Sequence, residues 1–394
     1  MDRRQLLPPL AASVPITIFS LAAVAIPLAA AESLRLSPIA LGTWLLALYG
    51  VPGVLSIVLT LVYRQPLFVA WHTSLVVFLA TLGDHASLAE LRGATLVGGV
   101  TVAVLGVTGL GQAVGRLVPA PVVFGVVAGS VLPFVVRAFD ALGQERWLVG
   151  PALLAWLASR RWLGARVPPV LPALLVGVAA ATLAGRLARL PGGWALPALD
   201  PAWPQFSLGT IATVVPVFVA LTVFHSNLTA TTYLRSEGYA PPVRGIDAAT
   251  GLGSVLAAFF GPAPICMGAL VTPLTAGPEA GERPVRVWSV FASGAAFAAI
   301  GLLGGIAAGL PQVIPLALLL AVAGFALVGV LQQALTEVTR GPLRLAPLLA
   351  FVVTGSHLTL WQLGAPFWAL VLGTGVAVVL EGGAPPDRQS TGGR

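Results

Sequence analysis

Few side chains of this chain could do chemistry inside an apolar setting: His72, His225, His357 and Cys266. Each lies in a strongly apolar run, where an ionisable or reactive group is a functional hypothesis by default. His72 precedes Thr73 and Ser74 in QPLFVAWHTSLVVFLATLG, Gln65 to Gly83. Pro66 and the extended run to Trp71 work against a helix, so a short one should begin at Thr73–Ser74 under a polar cap. A helix start exposes backbone N–H donors and the positive end of the helix dipole, which favours an anion. His225, Ser226 and Asn227 are consecutive within FVALTVFHSNLTATTYL. Three polar groups in succession cannot all face lipid, so part of the triplet turns inward, to a ligand or to a neighbouring helix. An unperturbed imidazole titrates near neutral pH, which makes His72 and His225 the candidates for handling a proton. His357 reads as structural and His85 as a loop residue.

The second reactive stretch is Phe260 to Pro278, FGPAPICMGALVTPLTAGP. Gly261, Pro262 and Pro264 forbid a helix through its first third, so the segment should start extended and turn helical near Cys266, Met267 and Gly268. Unpaired backbone is not tolerated in hydrocarbon, so both stretches must be buried against protein or line a cavity. They lie about 195 positions apart, half the chain. Paired interrupted spans in matching halves are the best sequence pointer to a transport site. Two helix starts, at Thr73–Ser74 and Met267–Gly268, would converge and hold an anion without a cationic side chain. The expected binding set is His72, Thr73, Ser74, His225, Ser226, Asn227, Cys266, Met267 and Gly268, with the Cys266 thiol itself read as a small buried hydrophobe.

Composition defines what must position these groups. The chain is 57% hydrophobic and 9% charged, with mean hydropathy +0.94, which excludes a soluble globular domain. A single cysteine excludes a disulfide framework and a cysteine-rich metal site. All 21 basic residues are arginine, so no phosphate-loop lysine can power ATP hydrolysis. Gly109 to Gly115 nearly spells a dinucleotide fingerprint, but the last spacing is wrong and no strand precedes it. Neither a metal, a cofactor nor nucleic acid is expected, and no catalytic constellation points to an enzyme.

Hydropathy and loop breakers divide the chain into an all-α membrane protein of fourteen segments, seven plus seven. The first half holds Leu10–Ala30, Pro38–Leu61, the broken span Pro66–Leu82, Leu91–Gly115, Pro119–Phe139, Trp147–Ala158 and Val167–Gly185. After a Pro- and Trp-rich linker come Phe206–Leu234, Ile246–Phe260, the broken span Pro262–Ala276, Val287–Ala308, Pro311–Leu335, Leu343–His357 and Gln362–Leu380. The first run resembles a signal peptide but is too long for one and is read as a retained span. Gly106, Gly109, Val118-Pro119 and Ala128-Gly129 recur as Gly301, Gly304, Ile314-Pro315 and Ala323-Gly324, at offsets of 195 or 196. An odd number of spans per repeat inverts the second copy. With the N-terminus inside, 15 of the 21 arginines fall on inner segments, placing both termini in the cytoplasm. Every carboxylate falls in a loop or at a span edge, Asp247 among them, and none in mid-membrane. Gly125/Gly129, Gly301/Gly305 and Gly305/Gly309 have the spacing of close helix packing.

With these residues in view, the chain resembles the benzoate/proton symporter family of bacterial inner membranes. The carrying segments are Ala70 to Thr73, Arg235 to Pro242, Thr250 to Gly253, Phe260 to Thr272 and Ala276 to Ala280. The resemblance implies the fold of nucleobase–cation symporters. It divides the chain into a core, residues 1–117 and 206–310, and a gate, residues 118–189 and 311–381, with a linker at 190–205 and a disordered tail at 382–394. It also implies a secondary active transporter for benzoate or a related aromatic carboxylate, proton-coupled, elevator-like, and often a homodimer. The chain departs from the pattern at His72, where benzoate carriers would have serine, and at Cys266, where they would have asparagine. Nucleobase carriers would have glutamates in the eighth and tenth spans, where this chain has Val223 to Asn227 and Cys266 to Gly268. The alternatives are an uncoupled channel or facilitator, or a carrier of another small anion or nucleobase-like solute.

Overall fold

The computed structural model describes residues 3–110, 119–163, 168–188, 196–197, 199–356, 358–360 and 363–382. His357, Gly111 to Gly115, most of the linker and the tail from 383 lie outside the described residues.

The first half runs α1 (Arg3–Ala23), α2 (Ala25–Ser33), α3 (Pro38–Leu45), a π-helical turn at Leu46–Gly50, and α4 (Val51–Tyr63). Strand β1 (Val69–Trp71) and helix α5 (Thr73–Thr81) follow, then α6 (Leu88–Thr108), α7 (Ala120–Gln144), α8 (Arg146–Trp162) and α9 (Val170–Leu183). The second half runs α10 (Leu208–Val219), a π-helical segment at Ala220–Asn227, α11 (Leu228–Ser236), α12 (Val243–Ala258), β2 (Ile265–Met267) and α13 (Thr272–Ala276). It continues as α14 (Val287–Leu302), the single turns α15 (Gly304–Ala307) and α16 (Leu310–Val313), α17 (Leu316–Thr339) and α18 (Leu345–Thr354). A small hairpin, β3 (Thr359–Leu360) with β4 (Leu363–Gly364), leads into α19 (Ala365–Val379). Among the described residues, seven continuous helical stretches are long and apolar enough to cross a membrane.

Local signals set the boundaries. Ser37 caps α3 by accepting from the Ala40 amide ahead of Pro38. Ser87 and Glu90 form a reciprocal capping box at the start of α6, and Gly109 ends that helix at φ +74°. Trp147–Ala158, short for a bilayer in the sequence reading, is lengthened to Arg146–Trp162.

The helices pack as two sets. In one, α6 lies on α12 and α4 on α14. In the other, α7 packs on α17, α8 on α9, α18 on α19, α7 on α18 and α19, and α17 on α8 and α9. The crossings are close because glycines sit at them. A Cβ on Gly99 of α6 would lie 2.8 Å from the Gly251 carbonyl oxygen of α12, and one on Gly294 of α14 would lie 3.1 Å from the Gly53 carbonyl oxygen of α4. Gly129 of α7 meets α18 in the same way, 2.8 Å from the Phe351 carbonyl oxygen.

Candidate functional site

The two proline-broken stretches meet tip to tip. β1 and β2 pair antiparallel, with Val69 opposite Met267, Ala70 opposite Cys266 and Trp71 opposite Ile265. The ladder extends at both ends, His72 N donating to the Pro264 carbonyl at 3.0 Å and Gly268 N to the Phe68 carbonyl at 2.9 Å. A two-stranded ribbon is marginal on its own, and here it is clamped from both sides. Ser56 of α4 holds Val69, its Oγ accepting from the amide at 2.8 Å and sharing its one proton between the Pro52 carbonyl at 2.8 Å and the Val69 carbonyl at 3.1 Å. Ser254 of α12 holds Ile265 by accepting from its amide at 2.9 Å, its own proton going to the Thr250 carbonyl at 2.9 Å with the Ile265 carbonyl farther off at 3.4 Å. Trp44 donates through Nε1 to the Pro262 carbonyl at 3.1 Å, fixing the entry to β2.

At the tip of the first crossing, His72 is extended and is itself the N-cap of α5, its Nδ1 accepting from Leu75 N at 3.3 Å. Leu75 and Val76 amides also reach the His72 carbonyl. The amides of Thr73 and Ser74 have no partner among the described residues, and both residues line a cavity. This is the expected helix start facing open space.

The second tip differs from expectation. Met267 and Gly268 do not begin a helix, and their amides are not free: Met267 N donates to Asn227 Oδ1 at 2.8 Å and Gly268 N to Phe68. Residues 265–267 are strand, a turn follows, and α13 starts only at Thr272. The turn is closed by the Val271 and Thr272 amides on the Gly268 carbonyl, at 2.9 and 2.8 Å, and Pro273, having no N–H, leaves the next rung to the Ala269 carbonyl unmade. The second helical turn starts one residue beyond Gly268, at Ala269 and Leu270, which also line the cavity, and its first amide, Ala269 N, is turned onto the Met267 carbonyl at 2.9 Å.

The cavity has a volume of about 560 Å³, within the usual range of about 300–1,000 Å³ for ligand sites. Its floor is the strand pair and the start of α5, and its walls come from α1, the π-helical segment, α8, α9 and α17. Of the nine residues singled out in the sequence, eight line it: His72, Thr73, Ser74, His225, Ser226, Cys266, Met267 and Gly268. Phe19, Trp71, Trp156 and Phe325 give it aromatic surface, and Arg160, stacked on Trp156 at 5.1 Å, stands at its exposed edge. Among the described residues no carboxylate lines it.

The imidazoles of His72 and His225 face each other with centroids 5.8 Å apart, and Phe124 sits edge-on to His225 at 5.0 Å. His225 reaches across to α17, where Gln333 Nε2 lies 3.3 Å from its Nε2. The amide nitrogen donates, so His225 accepts through Nε2 and carries its proton on Nδ1. His225 Nδ1 is buried with no partner, while the His72 ring is directed at the Leu221 carbonyl. Buried polar atoms are nearly always satisfied, and exceptions of this kind mark a place where another molecule completes the bonding. The π-helical segment Ala220–Asn227, unforeseen in the sequence, spreads the triplet over two directions: His225 and Ser226 to the cavity, Asn227 to the back.

Asn227 is the ninth residue, and it does not line the cavity. It is 1% exposed and lies behind β2. Its Oδ1 takes the Met267 amide, and its Nδ2 donates to Asp247 Oδ1 at 2.8 Å and Thr250 Oγ1 at 3.0 Å. Asp247, read from the sequence as a span-edge carboxylate, is 5% exposed in the second turn of α12. The sequence signal was the i, i+3 pairing of Asp247 with Thr250 on one face of α12, but the partner Asn227 is 20 residues away. Arg286 was also missed. It is 7% exposed, donates to the Gly281 carbonyl at 2.8 Å and to the Ala276 carbonyl, and pairs with Glu237 at 2.8 Å. It thereby ties the C-terminus of α13 to the end of α11.

Membrane-length helices around a cavity built on two interrupted crossings define a membrane transporter, not an enzyme. Comparison gives the particular family: the chain matches the benzoate membrane transport protein family over residues 6–379 and belongs to it. It is similar to Inner membrane protein YdcO of Escherichia coli (strain K12), 29% identical over 347 residues, 86% of each chain. It is also similar to the Benzoate membrane transport protein of Acinetobacter baylyi, 26% identical over 349 residues, 87% of each chain. Among solved structures, the transmembrane domain of the cyanobacterial bicarbonate transporter BicA matches with TM-score 0.56 and 18% identity, over 96% of this chain and 98% of that one. The murine Solute Carrier 26 family member A9 anion transporter, in its inward-facing state, matches with TM-score 0.61 and 12% identity, over 96% of this chain and 69% of that one. The fold is therefore that of membrane anion transporters.

Proposed function

We propose that this protein is a secondary active transporter that takes up benzoate or a related aromatic carboxylate by proton symport. The observation that carries the reading is the cavity itself. It offers unpaired amides at Thr73 and Ser74, an unpaired imidazole nitrogen on His225 with the His72 ring facing it, an arginine at its edge, aromatic walls and no described carboxylate. A carboxylate fits the polar end and an aromatic ring the rest. In this reading His225 exchanges Gln333 for the substrate, and Ser226 adds a hydroxyl.

Fourteen crossings in two inverted sets of seven complete the reading, with both termini cytoplasmic. Its support is reciprocal packing: α4 on α14 becomes α12 on α6 when the halves are exchanged, and α8 on α9 becomes α18 on α19. The clamps Ser56 and Ser254 exchange in the same way. The cavity lies between the two helix sets, α1 to β2 supplying one wall and α8, α9 and α17 the other. Sliding of one set against the other is the elevator motion that such a placement favours. The cavity's exposed edge at Arg160 then faces the cytoplasm, and a homodimer would hold the outer set still.

Proteoliposomes loaded at high internal pH and diluted to low external pH test this. Radiolabelled benzoate should accumulate above its external concentration, and a protonophore should abolish the excess. Equilibration without accumulation, unaffected by the protonophore, would make the protein a facilitator.

A further inference from the structure

We propose that Asp247 carries the transported proton. The inference rests on the symport reading above and assigns its proton to a residue outside the cavity. From sequence, His72 and His225 are the candidates, yet both face the substrate. Asp247 stands on the other side of β2 and is joined to it by one side chain. The Met267 amide can only donate, so the Asn227 oxygen must face it, and the Asn227 nitrogen must then face Asp247 and Thr250. The chain Asp247–Asn227–Met267 thus runs from a buried carboxyl to the strand that floors the cavity.

The surroundings supply no countercharge. Among the described residues four ion pairs form, and none includes Asp247. From α6 the facing group is backbone: a Cβ on Gly106 would lie 2.8 Å from Asp247 Cβ. From the π-helical segment come Asn227 and, turned away into the cavity, His225; from β2 come Met267 and Cys266. From α4 the Tyr63 hydroxyl is directed at Gly245. On α12 itself Arg244 is one turn earlier, and its guanidinium lies against Gly109 at the C-terminus of α6. A carboxylate buried without a cation is costly, and taking up a proton removes that cost.

Coupling follows from the two charges. A substrate carboxylate at Thr73–Ser74 and an ionised Asp247 repel across the thin strand pair, so substrate binding favours proton uptake by Asp247. By linkage, a proton on Asp247 favours substrate binding to the same degree. The loaded carrier holds one anion and one proton, Asp247 going from –COO⁻ to –COOH. On the other side the departing anion relieves the repulsion, and the proton leaves.

The test is proton uptake on binding, followed with a pH indicator when benzoate is added to purified protein in weakly buffered detergent solution. Wild type should take up one proton per benzoate bound. Asp247→Asn keeps an acceptor for Asn227 but no titratable group, and should bind benzoate with no proton uptake. In proteoliposomes it should exchange benzoate without pH-driven accumulation and with a flat pH profile. His72→Gln and His225→Gln should lose affinity and keep proton uptake. If Asp247→Asn still takes up the proton, or His225→Gln alone abolishes it, the assignment is overturned while symport stands. If wild type takes up none, the symport reading falls and this proposal with it. Should Asp247→Asn fail to bind, Asp247→Glu decides: a shifted pH midpoint of proton uptake supports the assignment, and an unshifted one overturns it.

Discussion

The two broken crossings share one design, a proline-stiffened strand followed by a short helix, and they differ in what their tips offer. The first ends in a nine-residue helix capped by His72, with two amides left open to the cavity. The second ends in a shorter helix in which Gly268 takes the place of His72, its carbonyl accepting from the Val271 and Thr272 amides, and the Ala269 amide is turned onto the Met267 carbonyl. The first tip is dressed for a ligand and the second for position. Its fixings extend outward through Asn227 to Asp247 and through Arg286 to Glu237. Two crossings joined tip to tip can divide labour in this way because each need satisfy only one demand: leave backbone donors unpaired, or hold the other still while it does.

The division is broken most severely at Asn227. Asn227→Ala strands the Met267 amide and the Asp247 carboxyl in a buried setting, at roughly 1–3 kcal/mol for each unsatisfied group. Benzoate uptake should be lost, with a clear fall in the melting temperature of the detergent-solubilised protein. If uptake survives at half the wild-type rate, the second tip is not the positioning element.

His72 carries the next largest effect, and two substitutions separate its two roles. His72→Ala removes both the cap, worth about 1 kcal/mol, and the imidazole facing the cavity. His72→Asn returns a capping acceptor without the ring. Thermal stability should recover in the asparagine variant, while the stabilisation given by added benzoate stays absent in both. Recovery of the benzoate effect along with stability would reduce His72 to a cap.

Much of this contrast was legible in the chain. Prolines announce where helices cannot run, so Pro66, Pro262 and Pro264 mark both interruptions, and His72-Thr73-Ser74 marks the first helix start. The second start lies one residue beyond Gly268, because Gly268 holds the cap position that His72 holds in the first, and a glycine there has no polar side chain to announce it. Asn227 and Asp247 were hard to place for a different reason. Which side of a helix faces a cavity depends on phase, and the π-helical segment shifts that phase by an amount no periodicity argument supplies. Arg286 reads as an inner-loop charge until its three partners are seen.

The serine clamps give a finer comparison. Ser56→Ala and Ser254→Ala each remove hydrogen bonds to a strand, about 1 kcal/mol net apiece. Ser56 holds the strand that leads into the open tip, and its bonds to the strand are the shorter, 2.8 and 3.1 Å against 2.9 and 3.4 Å. Benzoate affinity measured by calorimetry should therefore fall further in Ser56→Ala than in Ser254→Ala. The reverse order would mean that the second strand, not the first, sets the geometry of the site.

The smallest effect lies in the other helix set, where the two halves differ again. Arg186 and Glu381 are 195 positions apart, and each ties the segment after one helix to the start of the helix before it. Arg186 does so through an exposed ion pair with Glu145 at 2.8 Å, and Glu381 by accepting from the amides of Arg344, Leu345 and Ala346 at 2.6, 2.8 and 3.0 Å. Desolvation works to raise the Glu381 pKa, but the three amides outweigh it and hold the carboxyl below its usual value. A depressed folded pKa means the stabilisation is complete above the ordinary glutamate range and is lost as pH falls through the folded value. Wild type should therefore lose melting temperature below about pH 4.3 relative to Glu381→Gln, the two curves converging in acid. Arg186→Gln should cost little at any of these pH values, as exposed pairs do. A constant offset between wild type and Glu381→Gln across the range would mean that the carboxylate's charge adds nothing to its three hydrogen bonds.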